Sequence, residues 1–506
     1  MLDACIIGAG HNGLVAVALL ARAGLSVEVL ERRDLPGGAC VTEELWPGVR
    51  ASPGAYTLSL LRPEIVRELD LAGHGLEVAV HEPSLFAPLP DGRRVVTWSS
   101  SSRTAEQLAR EWSPADAEGY LAWSERWTRA AERARPLLLE PADHERWLEA
   151  VGPGILEGPV AAELEGIPSR EVRVPFAVQG LIGTLAGPDD PGTAFVAFYH
   201  ELGEAAGVPG AWGYARGGMG AVTRALGAAA EAAGARVSIE AEVEQVLVEE
   251  GRAVGVVVGG REVPARVVLS GADPVRTARL AGAPQPPGWR SSGPVVKVML
   301  LLDGLPDFPS WPGSEPWRGA IDIGFSLEDL AAAAEDARAG LPAARPWIEA
   351  ACQTAADPTL APPGRHVVSL FCQCFPADVD AEAAADACVA RFAEVCPGLP
   401  ARVLARFALG PRELEARFGL TGGHIFHGEM LPGQVLEQRP GPRRFGGIEG
   451  LYLAGSGAHP GGAVTGAPGY LAARAVLEDR AAPEGVAPQN TSVQDARALG
   501  PRSKGS

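Results

Sequence analysis

The feature that most restricts this chain is a run of small residues near its start. Ala4 to Ile7 is short and apolar, Gly8-Ala9-Gly10-His11-Asn12-Gly13 follows, and Leu14 to Ala23 is apolar and ends at Gly24. The pattern reads as a buried strand, a glycine turn and a helix. A second strand, Ser26 to Leu30, ends at the acid Glu31, eighteen residues after the last glycine. Together these make a dinucleotide-binding fingerprint. Gly8 permits the tight turn, Gly10 lets backbone approach a pyrophosphate, and Gly13 lets helix and strand pack closely. The helix N-terminus offers N–H donors and positive potential to phosphates. Glu31 can accept from both ribose hydroxyls and would repel a 2′-phosphate, which argues against NADP.

Composition narrows the class. The 506 residues are 46% hydrophobic and 21% charged, enough to bury a large core in about three domains or subdomains. A net charge of −18 offers no basic face, so no nucleic-acid partner is expected. The seven cysteines are sparse and include no CxxC, so neither a disulfide scaffold nor a metal site is expected. The first residues lack a basic start, an apolar run and a cleavage site, so no secretory signal is expected there. The longest uncharged stretch, Gly450 to Ala473, holds seven glycines and two prolines and does not read as a membrane helix. The expectation is a cytoplasmic protein, with peripheral membrane contact left open.

Arg32-Arg33-Asp34-Leu35-Pro36-Gly37-Gly38 extends the fingerprint. Here the chain resembles flavoprotein oxidoreductases with a glutathione-reductase-type FAD domain, where a basic stretch and a Gly-Gly pair lie against the FAD diphosphate. Cys40 stands where the disulfide reductases of that superfamily carry their first redox cysteine, but the position of the second is Leu45. No second GxGxxG occurs in a strand–helix context, so a dithiol reductase is not expected. Near the other end, Leu451 to Gly469 reads as strand, glycine loop and helix. It resembles the C-terminal flavin motif of the phytoene desaturase and carotenoid oxidoreductase family. His11 to Val15, Gly217 to Gly220, Leu269 to Pro274 and Ala361 to Gly364 extend that resemblance over nearly the whole chain. The branches it resembles are the bacterial β-carotene ketolase type and the "pyridine nucleotide-disulfide oxidoreductase domain-containing protein 2" type; the latter name does not fit a chain lacking the second cysteine.

The resemblance implies non-covalent FAD held by Gly8, Gly10, Gly13, Glu31, Arg32, Gly37, Gly38, Val243, Gly455, Ser456 and Val464. Val243 would bind the adenine end through its backbone. A helix N-terminus near Val464 would stabilise the anionic reduced flavin. Many related amine oxidases carry an acid where this chain has Ser456. Gly422 to Met430 resembles a family segment near the flavin, which makes His424, His427 and Glu429 candidate acid/base residues. His459 lies in the flavin loop. Lys297 sits on an apolar strand; a related oxidase group holds a water near the flavin with a lysine, and a solvated strand-end lysine is an equal alternative.

The expected fold class is α/β. A Rossmann-like FAD-binding domain of glutathione-reductase type would be assembled from 1–103, 206–290 and 445–480. A mixed-sheet and helical substrate domain would take 104–205 and 291–444, and 481–506 reads as a disordered tail. The aromatic stripe Trp112, Tyr120, Trp123, Trp127 reads as core packing. Val174 to Pro188 carries no charge and precedes Phe195, Phe198 and Tyr199, so this region is expected to line an apolar access route, with Leu181 and Phe195 in its wall. The expected activity is FAD-dependent desaturation or ketolation of a lipophilic, carotenoid-like substrate by two-electron transfer, with oxygen or a quinone as acceptor. Two alternatives stand beside it: an amine or small-molecule oxidase of the same fold, and a non-catalytic FAD-stabilised assembly protein.

Overall fold

The structure is a computed structural model that describes residues 1–482, so nearly all of the expected tail lies outside the described residues. Strand β1 (Leu2–Ile7) leads through the glycine turn into helix α1 (His11–Arg22) and then strand β2 (Val27–Leu30), parallel to β1. The chain returns to this sheet from far along the sequence. Arg236–Ser238 pairs with β2, Arg261–Ser270 with the other edge of β1, and Leu451–Leu453 with Arg261–Ser270, all parallel. The hairpin Val243–Glu249 and Arg252–Val258 continues the sheet in antiparallel fashion. Alternation along β1 explains its composition: Ala4 and Ile6 join the core beneath α1, while Cys5 and Ile7 join a second core with Val246, Val268 and Leu453. A strand covered on both faces must be apolar throughout.

A second sheet takes the order Val403–Leu409, Val296–Leu302, His366–Gln373, Trp347–Cys352, Ala320–Ile323, Leu85–Pro88, Arg94–Thr97. Of these, the sequence pattern reads as strand only over Val295 to Leu302 and His366 to Cys372, and both form here, each shifted by one residue at one end. The pair Leu85–Pro88 and Arg94–Thr97 joins this sheet although it lies within 1–103, because Leu85 and Phe86 pair in parallel with Ala320 and Ile321. Four-residue strands carry too little periodicity to announce a partner more than 200 positions away. One face of the sheet packs Val296, Val298, Ile348 and Leu370 against Ala384, Cys388 and Phe392 of helix Ala381–Ala393. The other face carries Lys297, Phe371, Glu349 and Asp322.

Helices cover that second face. Pro114–Ala134 starts at Ser113, whose Oγ accepts from the Asp116 N–H at 3.1 Å, with Pro114 in the first turn. It packs with His144–Glu157 and Thr193–Glu201 around Trp127, Trp147, Phe195 and Phe198. Among the described residues no helix is long and apolar enough to cross a membrane.

Candidate active site

A cavity of about 940 Å³ runs from the glycine turn after β1 to the second sheet and its helical cover. At one end it is built from backbone. Gly8 has φ +85°, and a Cβ at Gly13 would stand 2.2 Å from the Gly8 carbonyl oxygen, so the turn and the start of α1 touch directly. A Cβ at Gly10 would meet nothing within 4 Å, because the space before it belongs to the cavity. Gly10 caps α1 without a side-chain hydrogen bond, which leaves the first-turn N–H groups to a ligand. Gly37 and Gly38 take φ +132° and +60° and close the turn from the other side, the Gly37 N–H donating to the Ala9 carbonyl. The Glu31 carboxylate, 5% exposed, accepts from Ala9 N–H at 2.8 Å and Arg33 N–H at 2.9 Å, and its remaining lone pairs border the cavity.

The two glycine loops meet here. Asn12 Nδ2 donates to Ser456 Oγ at 3.1 Å. Gly8, Gly10, Gly13, Glu31, Arg32, Gly37, Gly38, Val243, Ser456 and Val464 all border the cavity. Gly455 does not; it lies behind, where a Cβ would strike the Gly271 carbonyl oxygen at 2.5 Å. The helix expected near Val464 begins at Ala467, after Gly466 at φ +74°. The cradle fits FAD: glycines and a bare helix start for the diphosphate, a carboxylate for the ribose, and a pocket long enough for the ring system. FAD supplies two-electron acceptance when bound, and the protein's share is to hold, orient and enclose.

The three candidate acid/base residues do not act as one group. His427 borders the cavity, in a left-handed backbone conformation (φ +59°). His424 and Glu429 do not border it. Burial pulls His424 down to about 3 and pushes Glu429 up to about 7. Glu429 lies in, and His424 just before, a segment clamped by Arg439, which the sequence reading missed. Its guanidinium, 2% exposed, donates to the carbonyls of Phe426 (2.7 Å), Glu429 (2.8 Å), Gln434 (3.0 Å) and Ser456 (2.9 Å). Arg439 thereby fixes the 426–434 segment to the C-terminal glycine loop. Cys40 borders the cavity, but its thiol is buried, pushed up to about 12, and directed at the Met219 carbonyl.

The uncharged 174–199 region divides. Pro175, Phe176, Gln179 and Ile182 line the cavity. Leu181 and Phe195 do not; at 1% and 2% exposure they belong to the helical core. Helix Thr193–Glu201 is buried on every side from Thr193 to His200, so most of its aromatics pack against neighbouring helices. The aromatic stripe splits too: Trp127 is core, whereas Tyr120 and Trp123 reach the cavity.

The far wall is the second sheet. Across adjacent strands Lys297 lies opposite Phe371, Phe371 opposite Glu349, and Glu349 opposite Asp322, so the four side chains form one row on one face. Lys297, 3% exposed, sits 3.6 Å above the Tyr56 ring and donates to Ser369 Oγ at 2.9 Å. Burial pulls its ammonium down to about 7, with Cys372 and Glu349 opposing. It is therefore not a solvated strand-end lysine. Tyr56 Oη donates to Glu349 Oε1 at 2.5 Å. Asp322 is 1% exposed with neither carboxyl oxygen hydrogen-bonded; burial and the Glu349 charge hold it well above the usual carboxylate range. Glu349 and Asp322 went unnoticed in the sequence, although each is the sole charge on its apolar strand, and that was the available signal.

Known proteins share this architecture. The model of the family described as flavin containing amine oxidoreductase matches residues 13–477. "Pyridine nucleotide-disulfide oxidoreductase domain-containing protein 2" of Rattus norvegicus is 38% identical, over 94% of this chain and 93% of its own length. A lycopene-forming phytoene desaturase of a Paracoccus species is 25% identical, over 93% of this chain and 96% of its own. A solved structure of putrescine oxidase, a triple mutant redesigned in cofactor binding, superimposes with a TM-score of 0.60 at 20% identity, covering 95% of this chain and 99% of that one, which shows the shared fold. The glycine cradle, the second loop against it and the match over residues 13–477 place this chain in the flavin-containing amine oxidoreductase family.

Proposed function

We propose that this flavin-dependent oxidoreductase takes two electrons from a lipophilic substrate that carries a hydrogen-bonding group at its reacting end. One observation carries the reading: the cavity is continuous from the FAD cradle to the sheet wall, with apolar Phe176, Ile182, Trp123 and Phe371 beside polar Lys297, Glu349 and Tyr56. Apolar surface supplies roughly 25 cal/mol per Å² removed from water, so a long apolar body gains most of its binding there. A buried amine and carboxylate against a pure hydrocarbon would lose hydrogen-bonding partners without return. FAD is held non-covalently, and oxygen or a quinone reoxidises it.

Within this reading, an amine or alcohol fits the wall better than an unsubstituted carotenoid. The carotenoid-like substrate keeps support from the likeness to a phytoene desaturase, and the amine from the family description. Anaerobic bleaching of the bound flavin tests the choice. Long-chain amines and alcohols are expected to bleach it faster than C40 hydrocarbons delivered in detergent. Bleaching by the hydrocarbon alone would overturn the polar-end reading. A flavin that no substrate bleaches would favour the assembly role.

A further inference from the structure

The sheet wall holds more ionisable groups than a binding surface needs. Glu349 faces Tyr56 from the 52–58 loop, Gln179 from the 178–180 turn, Lys297 from its strand and Asp322 from the neighbouring strand, with Tyr214 also near it. Tyr56 is the bridge, since its hydroxyl donates to Glu349 while its ring lies 3.6 Å beneath the Lys297 ammonium nitrogen. Both unmet oxygens of Asp322 lie directly across the strands from Glu349. Two adjacent buried carboxyls cannot both ionise at modest cost, so one of them holds a proton. The partners decide which one. Glu349 has the Tyr56 donor and the lysine, whereas Asp322 has no donor.

We infer that Glu349, held by Tyr56 and backed by a protonated Asp322, is the positioning residue that sets the charge of Lys297 at the cavity wall. This rests on the proposed polar-ended substrate only for its use. When Lys297 is neutral it can take a proton from a substrate N–H or O–H. The bonding pair then stays on the substrate nitrogen or oxygen, and the ammonium formed faces the Glu349 carboxylate. Burial pulls the lysine toward neutrality, and Cys372 and Glu349 oppose that pull, Glu349 being the partner tied to it through Tyr56. The wall is thus poised between two charge states rather than fixed in one.

The composition supplies a direct probe, because Lys297 and Lys504 are the only lysines in the chain. Lysine labelled with ¹³C at Cε gives two resonances in the flavin-loaded, full-length protein, and Lys504→Arg leaves one. The Lys297 resonance is expected to titrate near neutral pH. Glu349→Gln should lower its midpoint by about one pH unit or more, a tenfold loss of proton affinity. Asp322→Asn should leave it in place, since one neutral group replaces another. Tyr56→Phe keeps the ring and removes only the hydrogen bond, and should lower the midpoint by less; it stands in if Glu349→Gln does not fold. An unmoved midpoint in Glu349→Gln (or in Tyr56→Phe where that variant stands in), or an equal fall in Asp322→Asn, overturns the inference. Failure of every substrate to bleach the flavin would leave this titration as expected, so the two proposals fail separately.

Discussion

The two ends of the cavity are made of different material. The cofactor end is backbone: Gly8, Gly10, Gly13, Gly37 and Gly38 border it, and a side chain on them would be strained, would strike the chain or would occupy the ligand's space. The substrate end is side chain: Lys297, Phe371 and Glu349 meet there because three strands align in register. A backbone cradle is specific for a diphosphate whatever surrounds it, and its glycines must stand at fixed intervals. A side-chain wall is specific through burial, which changes the chemistry of each group it encloses, and its residues can stand anywhere the sheet brings them together.

The sharpest break of that comparison separates wall from core. Leu181→Asp and Phe195→Asp are expected to unfold the protein, since an unpaired charge in the helical core costs several kcal/mol, about 3–5 by comparison with broken buried pairs. Phe176→Asp, at the cavity face, should leave a folded yellow protein that binds lipophilic substrate poorly. Thermal melts beside flavin bleaching decide it; a stable Leu181→Asp would return that residue to the cavity wall.

Next come the two glycines of the cradle. Gly13→Val forces a side chain onto the Gly8 carbonyl and should lower stability by about 1–3 kcal/mol even without flavin. Gly10→Val should fold and melt near the wild-type apoprotein yet elute colourless, because its side chain enters only the diphosphate's space. Retention of flavin by Gly10→Val would break the assignment of the cradle.

The pH dependence is smaller in effect. Burial holds His424 and His81 down near 3, and His200 and His459 down near 4. Unfolding releases them to take up protons below about 6.5, so their contribution is complete above that pH and lost as pH falls toward 4 or 3. Each costs about 1.4 kcal/mol per pH unit through that window. Glu201 and Glu429, raised to about 7, act oppositely, as do Asp322 and Glu349, which burial also raises: the contribution of the two glutamates near 7 is complete below about 4.5 and lost as pH rises to 7. With His11, also held down near 4, and His427, also lowered by burial, the histidines outnumber these carboxyls, so the urea midpoint should fall on acidification from pH 6.5 to 4.5. A midpoint that rises there would place charged histidines inside the fold.

The smallest expected change is at Cys40. Cys40→Ala should cost about 1 kcal/mol of stability and leave flavin bleaching intact, since Leu45 stands where a redox partner would be. Loss of bleaching with flavin retained would restore a thiol mechanism to the cofactor end.

What the sequence determined by itself was the cofactor end. A glycine that must adopt positive φ or admit a neighbouring backbone has few substitutes, so Gly8, Gly13 and Gly38 announce their conformation locally, and Glu31 follows at a distance set by one helix and one strand. The apolar runs Val295 to Leu302 and His366 to Cys372 were legible too, because a strand buried on both faces needs nearly continuous apolar residues. Tertiary structure decided the substrate end. Nothing near Asp322 or Glu349 in the chain says that they face each other, or that Tyr56 lies between Glu349 and Lys297. Likewise an uncharged stretch fits a core and a cavity wall equally well, and only packing put Phe176 on one side and Leu181 on the other. Hydrophobicity is read from composition, but desolvation and strand register depend on which distant segments close over a residue, and those exist only once the chain has folded.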